Sequence, residues 1–521
     1  MEKTNNFTPT QDDAFDFLVA EFDQQKRKVE ELAQFFNDPA YTHALELFQR
    51  YNDKDDRQKL GYDNPEGALK VLAADYWVKA MSRTDVWDWM PAERREQWND
   101  QLRALDVPSF DEETVRATIG DLLMKRKHFF AEQVDGVFRA LSRTHVTNQP
   151  EGFGKRFIIP NLFESWGSLS WQKMERLYDL RSAIATILGR ERPYRDTTRD
   201  LIEWVRRVNG QWHTVDGGAF KIRIYNGVGT AHVEVNPQVA WRLNEVLSVL
   251  HPMAIPEKNR KPAKVKRKLK DFELMQDMLP DQVSRIVGGI EKAYTHERYG
   301  FNDVRRSRIP DTYLVCHSVD KHVNDRVREV LKHIGGVETS PAMWFFDYNP
   351  IDVCKRIQFD GSIPDFKSHQ FYPTPDHIVD AAITELGLSE GQSVLEPSAG
   401  IGGIACKIPG NVTAVEISSL HCDILKARRA GDVIQADFMK WKTDLKFDRI
   451  IMNPPCSQGR WKAHTERAAS MLADGGVLVA ILPASAANGW GIDGFKVVPI
   501  EVFKDDFDKA SVDVVVVKIT R

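Results

Sequence analysis

The chain has 521 residues, of which 42% are hydrophobic and 28% are charged, the composition of an ordinary soluble globular protein. This length predicts two or three domains. The net charge of −4 excludes a uniformly basic nucleic-acid-binding protein, so any contact with nucleic acid requires local basic patches.

The sequence has no apolar run near the ~18 residues of a membrane span, and its first residues lack the basic and apolar regions of a secretory signal. We therefore expect no membrane partner and a cytoplasmic location. The five cysteines are scattered, and the 14 histidines show no paired ligand spacing. This usage predicts reduced thiols and no metal site.

Residues 1–256 are expected to form a mainly helical α+β module. Apolar residues at helical spacing predict helices over residues 12–48, 66–81, 91–105, 171–188 and 237–250, and two helices or one bent helix over 110–141. Ala219–Tyr225 and Thr230–Val235 alternate on either side of Asn226-Gly227, which is typical of a β-hairpin.

Two basic stretches are candidates for contact with nucleic-acid phosphates. The first is a polar, glycine-rich loop near residues 143–156, which carries Arg143, Lys155 and Arg156. The second is a basic linker at residues 257–270, with eight basic residues and one acid. Its candidate contact residues are Lys264, Lys266, Arg267 and Lys268. An ordinary surface loop and a solvated linker explain these charges about equally well.

Residues 271–370 are expected to form a small α+β region, with strands at 312–316 and 344–348 and a helix at 323–334. Residues 371–521 then show four short apolar strands, each followed by distinctive residues. The first strand, Val394–Pro397, leads into a glycine-rich turn and a predicted helix, and the second, Val412–Glu416, ends in an acid. The third strand, Val433–Gln435, precedes Asp437-Phe438. The fourth, Ile450–Met452, precedes Asn453-Pro454-Pro455-Cys456. Ligands bind at such strand ends in open α/β sheets.

The Asn-Pro-Pro turn has a specific chemical capability. Neither proline can donate a backbone hydrogen bond, and each proline restricts the residue before it, so the turn is stiff. It presents two acceptors, the side-chain carbonyl of Asn453 and the backbone carbonyl of Pro454. Two fixed acceptors suit a planar amine whose nitrogen must become nucleophilic.

With these motifs in order, residues 371–521 resemble the catalytic domain of S-adenosylmethionine-dependent N6-adenine DNA methyltransferases. The matching motifs are Tyr372-Pro373-Thr374-Pro375, Glu396-Pro397-Ser398-Ala399-Gly400-Ile401-Gly402, Val415-Glu416, Ala436-Asp437-Phe438, Asn453-Pro454-Pro455 and Gly475–Pro483. The resemblance implies a carboxyl-terminal α/β Rossmann-like domain with S-adenosylmethionine as cofactor and DNA as partner.

The resemblance also implies roles for individual residues. The cofactor's methionine part would be held by Thr374, Glu396, Gly400 and Gly402, its ribose by Glu416, and its adenine by Asp437 and Phe438. Neighbouring residues expected in the cofactor site are Tyr372, Pro397, Ser398 and Ile417. The target amine would be bound by Asn453 and Pro454, within a catalytic motif completed by Pro455 and Cys456.

Cys456 departs from the pattern of the family, which usually has an aromatic residue there that stacks on a flipped base. Either Phe371, Trp461 or Trp490 compensates, or the substrate is not the usual one. A thiol nucleophile at Cys456 must also be considered, although Asn-Pro-Pro favours direct chemistry on an amine.

The front of the chain is similar to an uncharacterised domain family of phage- and plasmid-type genes, sometimes fused to methyltransferases. The matching pieces include His145–Asn148, Pro150–Arg156 and Ala240–Asn244. The whole chain is therefore expected to methylate DNA adenine, protecting mobile-element DNA from restriction, with a possible homo-oligomer. Alternatives are methylation of RNA adenine or of a protein glutamine, or a nucleic-acid-binding protein with a decayed methyltransferase domain.

Overall fold

A computed structural model describes residues 12–41, 43–44, 47, 65–141, 145, 147–164, 167–262, 274–298, 304–504 and 513–521. The chain forms two compact units. The amino-terminal unit comprises residues 1–213 and 221–264, and the carboxyl-terminal unit comprises residues 214–220 and 265–521.

The first unit is mainly helical, as the sequence predicts. Its helices are α1 (Asp12–Asn37), α2 (Pro65–Ser82), α3 (Val86–Trp89), α4 (Ala92–Arg103), α5 (Glu112–Met124), α6 (Arg126–Arg139), α7 (Trp171–Leu188), α8 (Asp196–Arg206) and α9 (Pro237–Leu247). The strands in this part of the chain are β1 (Arg156–Ile159), β2 (His213–Val215), β3 (Phe220–Tyr225) and β4 (Thr230–Val235), in the sheet order β1-β4-β3-β2. The predicted hairpin is the antiparallel pair of β3 and β4.

The first predicted helix, over residues 12–48, is interrupted: residues 38–41 are not helical, whereas residues 43, 44 and 47 are helical. Helix α1 ends at Asn37 because Pro39 disfavours helical geometry at Asp38. Residues 110–141 form two helices, α5 and α6, and Lys125 lies between them. Trp77 is fully buried in the helical core and donates its indole N–H to the carbonyl of Pro108 at 2.8 Å.

The second unit begins with a small α+β region. Its elements are β5 (Gln276–Met278), α10 (Asp281–Gly288), β6 (Glu291–Arg298), β7 (Val304–Leu314), α11 (Lys321–His333), β8 (Val337–Ser340), β9 (Met343–Phe345), α12 (Ile351–Asp360), β10 (Ser362–Pro364) and α13 (Phe366–His369). Four of these strands form a sheet in the order β6-β7-β9-β8. The strand predicted at 312–316 is the end of the longer β7, and its hairpin partner β6 was missed.

The rest of this unit is a doubly wound sheet with helices. Its elements are α14 (Asp376–Leu386), β11 (Val394–Pro397), β12 (Val412–Glu416), α15 (Ser419–Ala427), β13 (Asp432–Gln435), β14 (Phe447–Met452), α16 (Arg460–Ser470), β15 (Leu472–Pro483), β16 (Lys496–Phe503) and β17 (Val514–Thr520). The order is β13-β12-β11-β14-β15-β17-β16. The first five strands are parallel, and β17 is antiparallel to both neighbours. This is a Rossmann-like arrangement.

The helix predicted after the glycine-rich turn does not form. Only a three-residue 3₁₀ turn, Ala405–Lys407, occurs between Gly403 and β12. Residues 404–411 are too few for a helix and a return to the sheet, and they include Pro409-Gly410. Anion binding by a helix amino terminus therefore plays no part at this turn.

The small α+β region and the doubly wound sheet share one hydrophobic core. Buried Tyr313 and Trp344 belong to the same cluster as Phe371, Leu420 and Ile424. Tyr313 is 1% exposed and Trp344 is 2% exposed. The small α+β region therefore packs directly against the doubly wound sheet and its helices.

Arg356 on α12 fastens this region to helix α15. It donates to the Ser419 carbonyl at 2.9 Å and to the Ser419 hydroxyl at 2.6 Å, and it forms ion pairs with Asp423 and Asp360. Burial raises the pKa of Asp360 to about 6, although Arg356 opposes the shift. The arginine therefore compensates a carboxylate that is costly to bury.

Replacing Arg356 with Met should destabilise the second unit by about 3 kcal/mol, because Asp360 is left buried without its cation. Urea unfolding measures this loss. The matched control is Arg328→Met, which removes the more exposed pairs to Asp325 and Glu338 and should cost under about 1 kcal/mol. Equal losses for the two variants would contradict the role of Arg356.

Candidate active site

The carboxyl ends of four parallel strands converge on a cavity of about 330 Å³. The order of the sheet reverses between β11 and β14, and such a switch point is where open α/β sheets bind ligands. The volume is within the range of small-molecule sites. Predicted site residues that line the cavity are Ser398, Gly400, Glu416, Ile417, Asp437, Phe438, Asn453 and Pro455. The strand ends therefore bring together residues that are far apart in sequence.

Glu416 is held rigidly at the end of β12. One carboxylate oxygen accepts the backbone N–H of Gly400 at 2.8 Å, and the other accepts that of Ser418 at 2.7 Å. The side chain is 6% exposed. Each oxygen has a further lone pair, so Glu416 can also accept hydroxyl groups from a ligand.

The glycines of the turn after β11 have different physical roles. Gly400 has φ of 55°, and a Cβ there would lie 2.9 Å from the ring of Phe371, which lines the same cavity. Gly402 does not line the cavity; a Cβ there would lie 2.9 Å from the sulfur of Cys406. Gly400 thus shapes the site, whereas Gly402 allows close packing behind it.

Asp437 and Phe438 form another side of the cavity. The carboxylate of Asp437 accepts the backbone N–H of Met439 at 3.0 Å and pairs with Lys440 at 2.7 Å. Phe438 is 3% exposed and lies 5.8 Å, ring to ring, from His464. This pairing of an acceptor with an aromatic face suits a heterocyclic base.

Asn453 is oriented by Thr374 across 79 positions of sequence. Its side-chain nitrogen donates to the Thr374 hydroxyl at 3.0 Å. The side-chain oxygen has no hydrogen-bond partner within the described ranges, so it is available to an amine. Thr374 does not itself line the cavity, and its observed contact is with Asn453.

Cys456 is unsuited to be a nucleophile. Burial raises the pKa of its thiol to about 11, so the reactive thiolate is scarce near neutral pH. Its sulfur lies 3.5 Å from the Pro454 carbonyl oxygen. A covalent intermediate on this thiol is therefore disfavoured.

The aromatic residues considered as substitutes for Cys456 differ in placement. Trp461 is 6% exposed and packs against Trp490 at 4.8 Å between ring centroids, within a hydrophobic core. Phe371 lines the cavity, but it packs on His421 and beneath Gly400. Phe371 is thus the one of these three that reaches the site.

Glu396 carries an unsatisfied buried atom near the site. Burial raises the pKa of this carboxyl well above its usual range, and Glu416 adds to the shift. Among the described residues, its Oε2 atom has no hydrogen-bond partner, and Ser398, two positions later, lines the cavity. A buried carboxyl of this kind fits the cationic groups of S-adenosylmethionine, the cofactor that the motifs imply.

Several predicted site residues do not line the cavity, and several lining residues were missed. Those outside the lining are Tyr372, Thr374, Glu396, Pro397, Gly402, Pro454 and Cys456. Lining residues that the sequence reasoning missed include Ser368, His369, Gln370, His421, Arg460 and His464. Arg460 and His464 are spaced i, i+4 on α16 just after the Asn-Pro-Pro turn, which was a usable signal.

His464 is neutral inside the cavity. Burial lowers its pKa to about 4, and Arg460 acts in the same direction. The residue is 9% exposed, and its Nδ1 has no hydrogen-bond partner in the part of the chain that the structure describes. Gln370 links the small α+β region to the loop after the Asn-Pro-Pro turn, because its side-chain oxygen accepts the Ser457 backbone N–H at 2.7 Å.

Of the predicted nucleic-acid contacts, Lys155 and Arg156 belong to the described residues. Arg143, Lys264, Lys266, Arg267 and Lys268 lie outside the described residues. Lys155 and Arg156 have exposed side chains, and both form ion pairs with Glu234. Their charge is therefore partly compensated within the amino-terminal unit.

A larger cavity of about 400 Å³ lies in the amino-terminal unit and has a different character. Its arginines are already paired with carboxylates: Arg139 and Arg176 with Glu93, and Arg195 with Glu175. This charge pairing indicates a structural ion network rather than a second active site.

No cluster of three or more possible metal ligands occurs among the described residues. Within the same ranges, no helix combines the length and apolarity needed to cross a membrane.

Comparisons with known proteins match parts of the chain. Residues 69–252 match the family described as a domain of unknown function, DUF4942. A type II methyltransferase, M.CvrRI, from Paramecium bursaria Chlorella virus XZ-6E is 30% identical over 199 residues, covering 32% of this chain and 48% of that protein. The chain thus spans about half the length of the curated relative it matches.

Solved methyltransferase structures align with a smaller share of the chain. A precorrin-6y C5,15-methyltransferase from Geobacter metallireducens is 16% identical with a TM-score of 0.23, covering 28% of this chain and 87% of that one. A dimethyladenosine transferase from Plasmodium falciparum is 19% identical with a TM-score of 0.25, covering 29% and 62%.

Replacing Glu416 with Ala should weaken binding of S-adenosylmethionine by about 10- to 100-fold, since a buried charged acceptor is lost. Isothermal titration calorimetry measures the dissociation constant. Glu390→Ala removes an exposed glutamate from the same domain and should leave affinity unchanged. An unchanged constant for the Glu416 variant would show that its carboxylate does not contact the cofactor.

Cofactor affinity should rise as pH increases through the range above a glutamate's usual pKa, because burial raises the pKa of the Glu396 carboxyl in the free protein. A cationic ligand favours the ionised carboxylate, so binding releases a proton and becomes easier as pH rises. Titrations across this range test the effect. The Glu396→Gln variant should bind more weakly and lose this dependence; identical pH profiles for both proteins would contradict the assignment.

Proposed function

We propose that the chain is an S-adenosylmethionine-dependent DNA methyltransferase that acts on the N6 amine of adenine. The observation that carries the proposal is Asn453, whose side-chain oxygen is available at the cavity while Thr374 orients the amide. The same cavity offers Glu416 as a hydroxyl acceptor and Phe438 as an aromatic surface. These groups suit a nucleoside cofactor beside an amine substrate.

The protein's contribution to the reaction is to bind and orient the amine. Asn453 Oδ1 and the Pro454 carbonyl accept hydrogen bonds from the two amine protons, which directs the nitrogen lone pair away from the ring plane. S-adenosylmethionine, when bound, supplies an electrophilic methyl group. The high pKa of Cys456 disfavours a covalent enzyme intermediate and supports direct transfer. One amine proton leaves to solvent.

DNA as the substrate rests on two similarities. The order of motifs after residue 371 resembles adenine-specific DNA methyltransferases, and the viral relative is a type II methyltransferase. Protection of mobile-element DNA from restriction is the biological role that we propose. Cells producing the protein should accumulate N6-methyladenine in DNA; methylation confined to RNA or protein would redirect the proposal.

The Asn453→Ala variant should lose methyl transfer by ~100-fold or more, because a preorganised acceptor of the reacting amine is removed. Its affinity for S-adenosylmethionine should stay near that of the wild type. Transfer of labelled methyl groups to duplex DNA measures activity, and calorimetry measures binding. Asn411→Ala, at an exposed position of the same domain, is the matched control. Wild-type turnover by Asn453→Ala would exclude the proposed role.

A further inference from the structure

The hairpin of β6 and β7 extends beyond the sheet that anchors it. Five consecutive residue pairs, from Tyr294–Arg308 to Arg298–Val304, join these two strands. Strand β9 pairs with β7 only at Thr312–Leu314. Among the described residues, no third strand lies beside this part of the hairpin, which is therefore a two-stranded ribbon. At ~3.4 Å per residue the five pairs span about 17 Å.

The ribbon carries an excess of positive charge on a protein whose net charge is negative. Residues 294–298 and 304–308 contain four arginines and one glutamate. Arg306, Ser307 and Arg308 are exposed. Arg306 and Arg308 are alternate residues of one strand, so their side chains share a face.

The two exposed arginines keep their charge available. Neither has a carboxylate partner among the ion pairs of the described residues, unlike Lys155 and Arg156, which share Glu234. The guanidinium of Arg306 lies 3.8 Å from the ring centroid of Tyr294 on the partner strand. This stacking supports an extended guanidinium at little further entropic cost.

The base of the ribbon is fixed in the core of the carboxyl-terminal unit. Tyr313, at the end of β7, is 1% exposed, and its ring packs 5.9 Å from that of Phe346. Both belong to the hydrophobic cluster that includes Phe371, which lines the active-site cavity. The base of the ribbon and the wall of the active-site cavity therefore pack into the same hydrophobic core.

We propose that the β6–β7 ribbon is a DNA-binding element that enters the major groove of the substrate duplex. A two-stranded ribbon fits the major groove, which is ≈ 12 Å wide. The charge and polarity of the exposed face match DNA and are wrong for an apolar protein partner. This inference rests on the proposed function and extends it by naming the surface that binds the substrate.

The test is a titration of labelled duplex DNA against the full chain at several salt concentrations. The Arg306→Ala/Arg308→Ala variant should bind about tenfold more weakly or worse. If both arginines contact phosphates, the slope of log K against log salt should become shallower by about 1.8. If they contact bases instead, the slope stays and discrimination between duplex sequences falls. Either pattern supports the ribbon as the DNA-binding element.

Two control variants separate specific contact from general electrostatics. Lys321→Ala/Lys332→Ala removes two exposed charges from helix α11 of the same unit and should change affinity little. Arg306→Lys/Arg308→Lys keeps the charge and should restore phosphate contact but not base contact. Unchanged S-adenosylmethionine affinity in every variant shows that the unit is folded.

Two outcomes would overturn the inference. If the alanine variant binds duplex DNA as the wild type does, or no more weakly than the helix control, the ribbon is not a DNA-binding element, although DNA methylation can still stand. If the wild-type chain neither binds nor methylates DNA, the proposed function and the ribbon inference fail together.

Discussion

The buried carboxylate of Glu416 is the interaction on which the candidate active site depends. Its two hydrogen bonds, to Gly400 and Ser418, tie the turn after β11 to the start of α15. These backbone groups lie in turns that lack the regular hydrogen bonds of a helix or sheet, so the carboxylate satisfies donors that burial would otherwise leave unpaired. The residue expected to bind the ribose is therefore also a structural centre of the site.

The small α+β region is an integral part of this site. Gln370 binds the loop after the Asn-Pro-Pro turn, and Arg356 holds α15 immediately after Glu416. Two further buried histidines, His333 and His421, have their Nε2 atoms 3.1 Å apart across the same boundary. Polar contacts of this kind require precise distances, so the region contributes to the geometry of the cavity as well as to the core.

The distribution of charge determines which surfaces of the chain can attract nucleic-acid phosphates. With a net charge of −4, attraction to phosphates must be local, and internal ion pairs reduce it further. Lys155 and Arg156 are compensated by Glu234, whereas Arg306 and Arg308 have no such partner in the part of the chain that the structure describes. The two basic surfaces therefore differ mainly in whether their basic side chains form ion pairs with carboxylates, and less in how many basic residues they contain.

The sequence by itself determined the elements whose signal is local. The spacing of apolar residues located most helices of the first unit, and the residues after β11, β12, β13 and β14 predicted a ligand site at the strand ends. These features can be predicted from sequence because a strand and the turn that follows it consist of consecutive residues.

Only the tertiary structure decided which side chains meet. It joined Thr374 to Asn453, brought His464 and Gln370 to the cavity, and placed Gly402 behind it. It also replaced a predicted helix after Gly403 with a short turn and revealed the β6–β7 ribbon. These features depend on contacts between distant segments and on the space left by the core, which periodicity and local propensity do not encode.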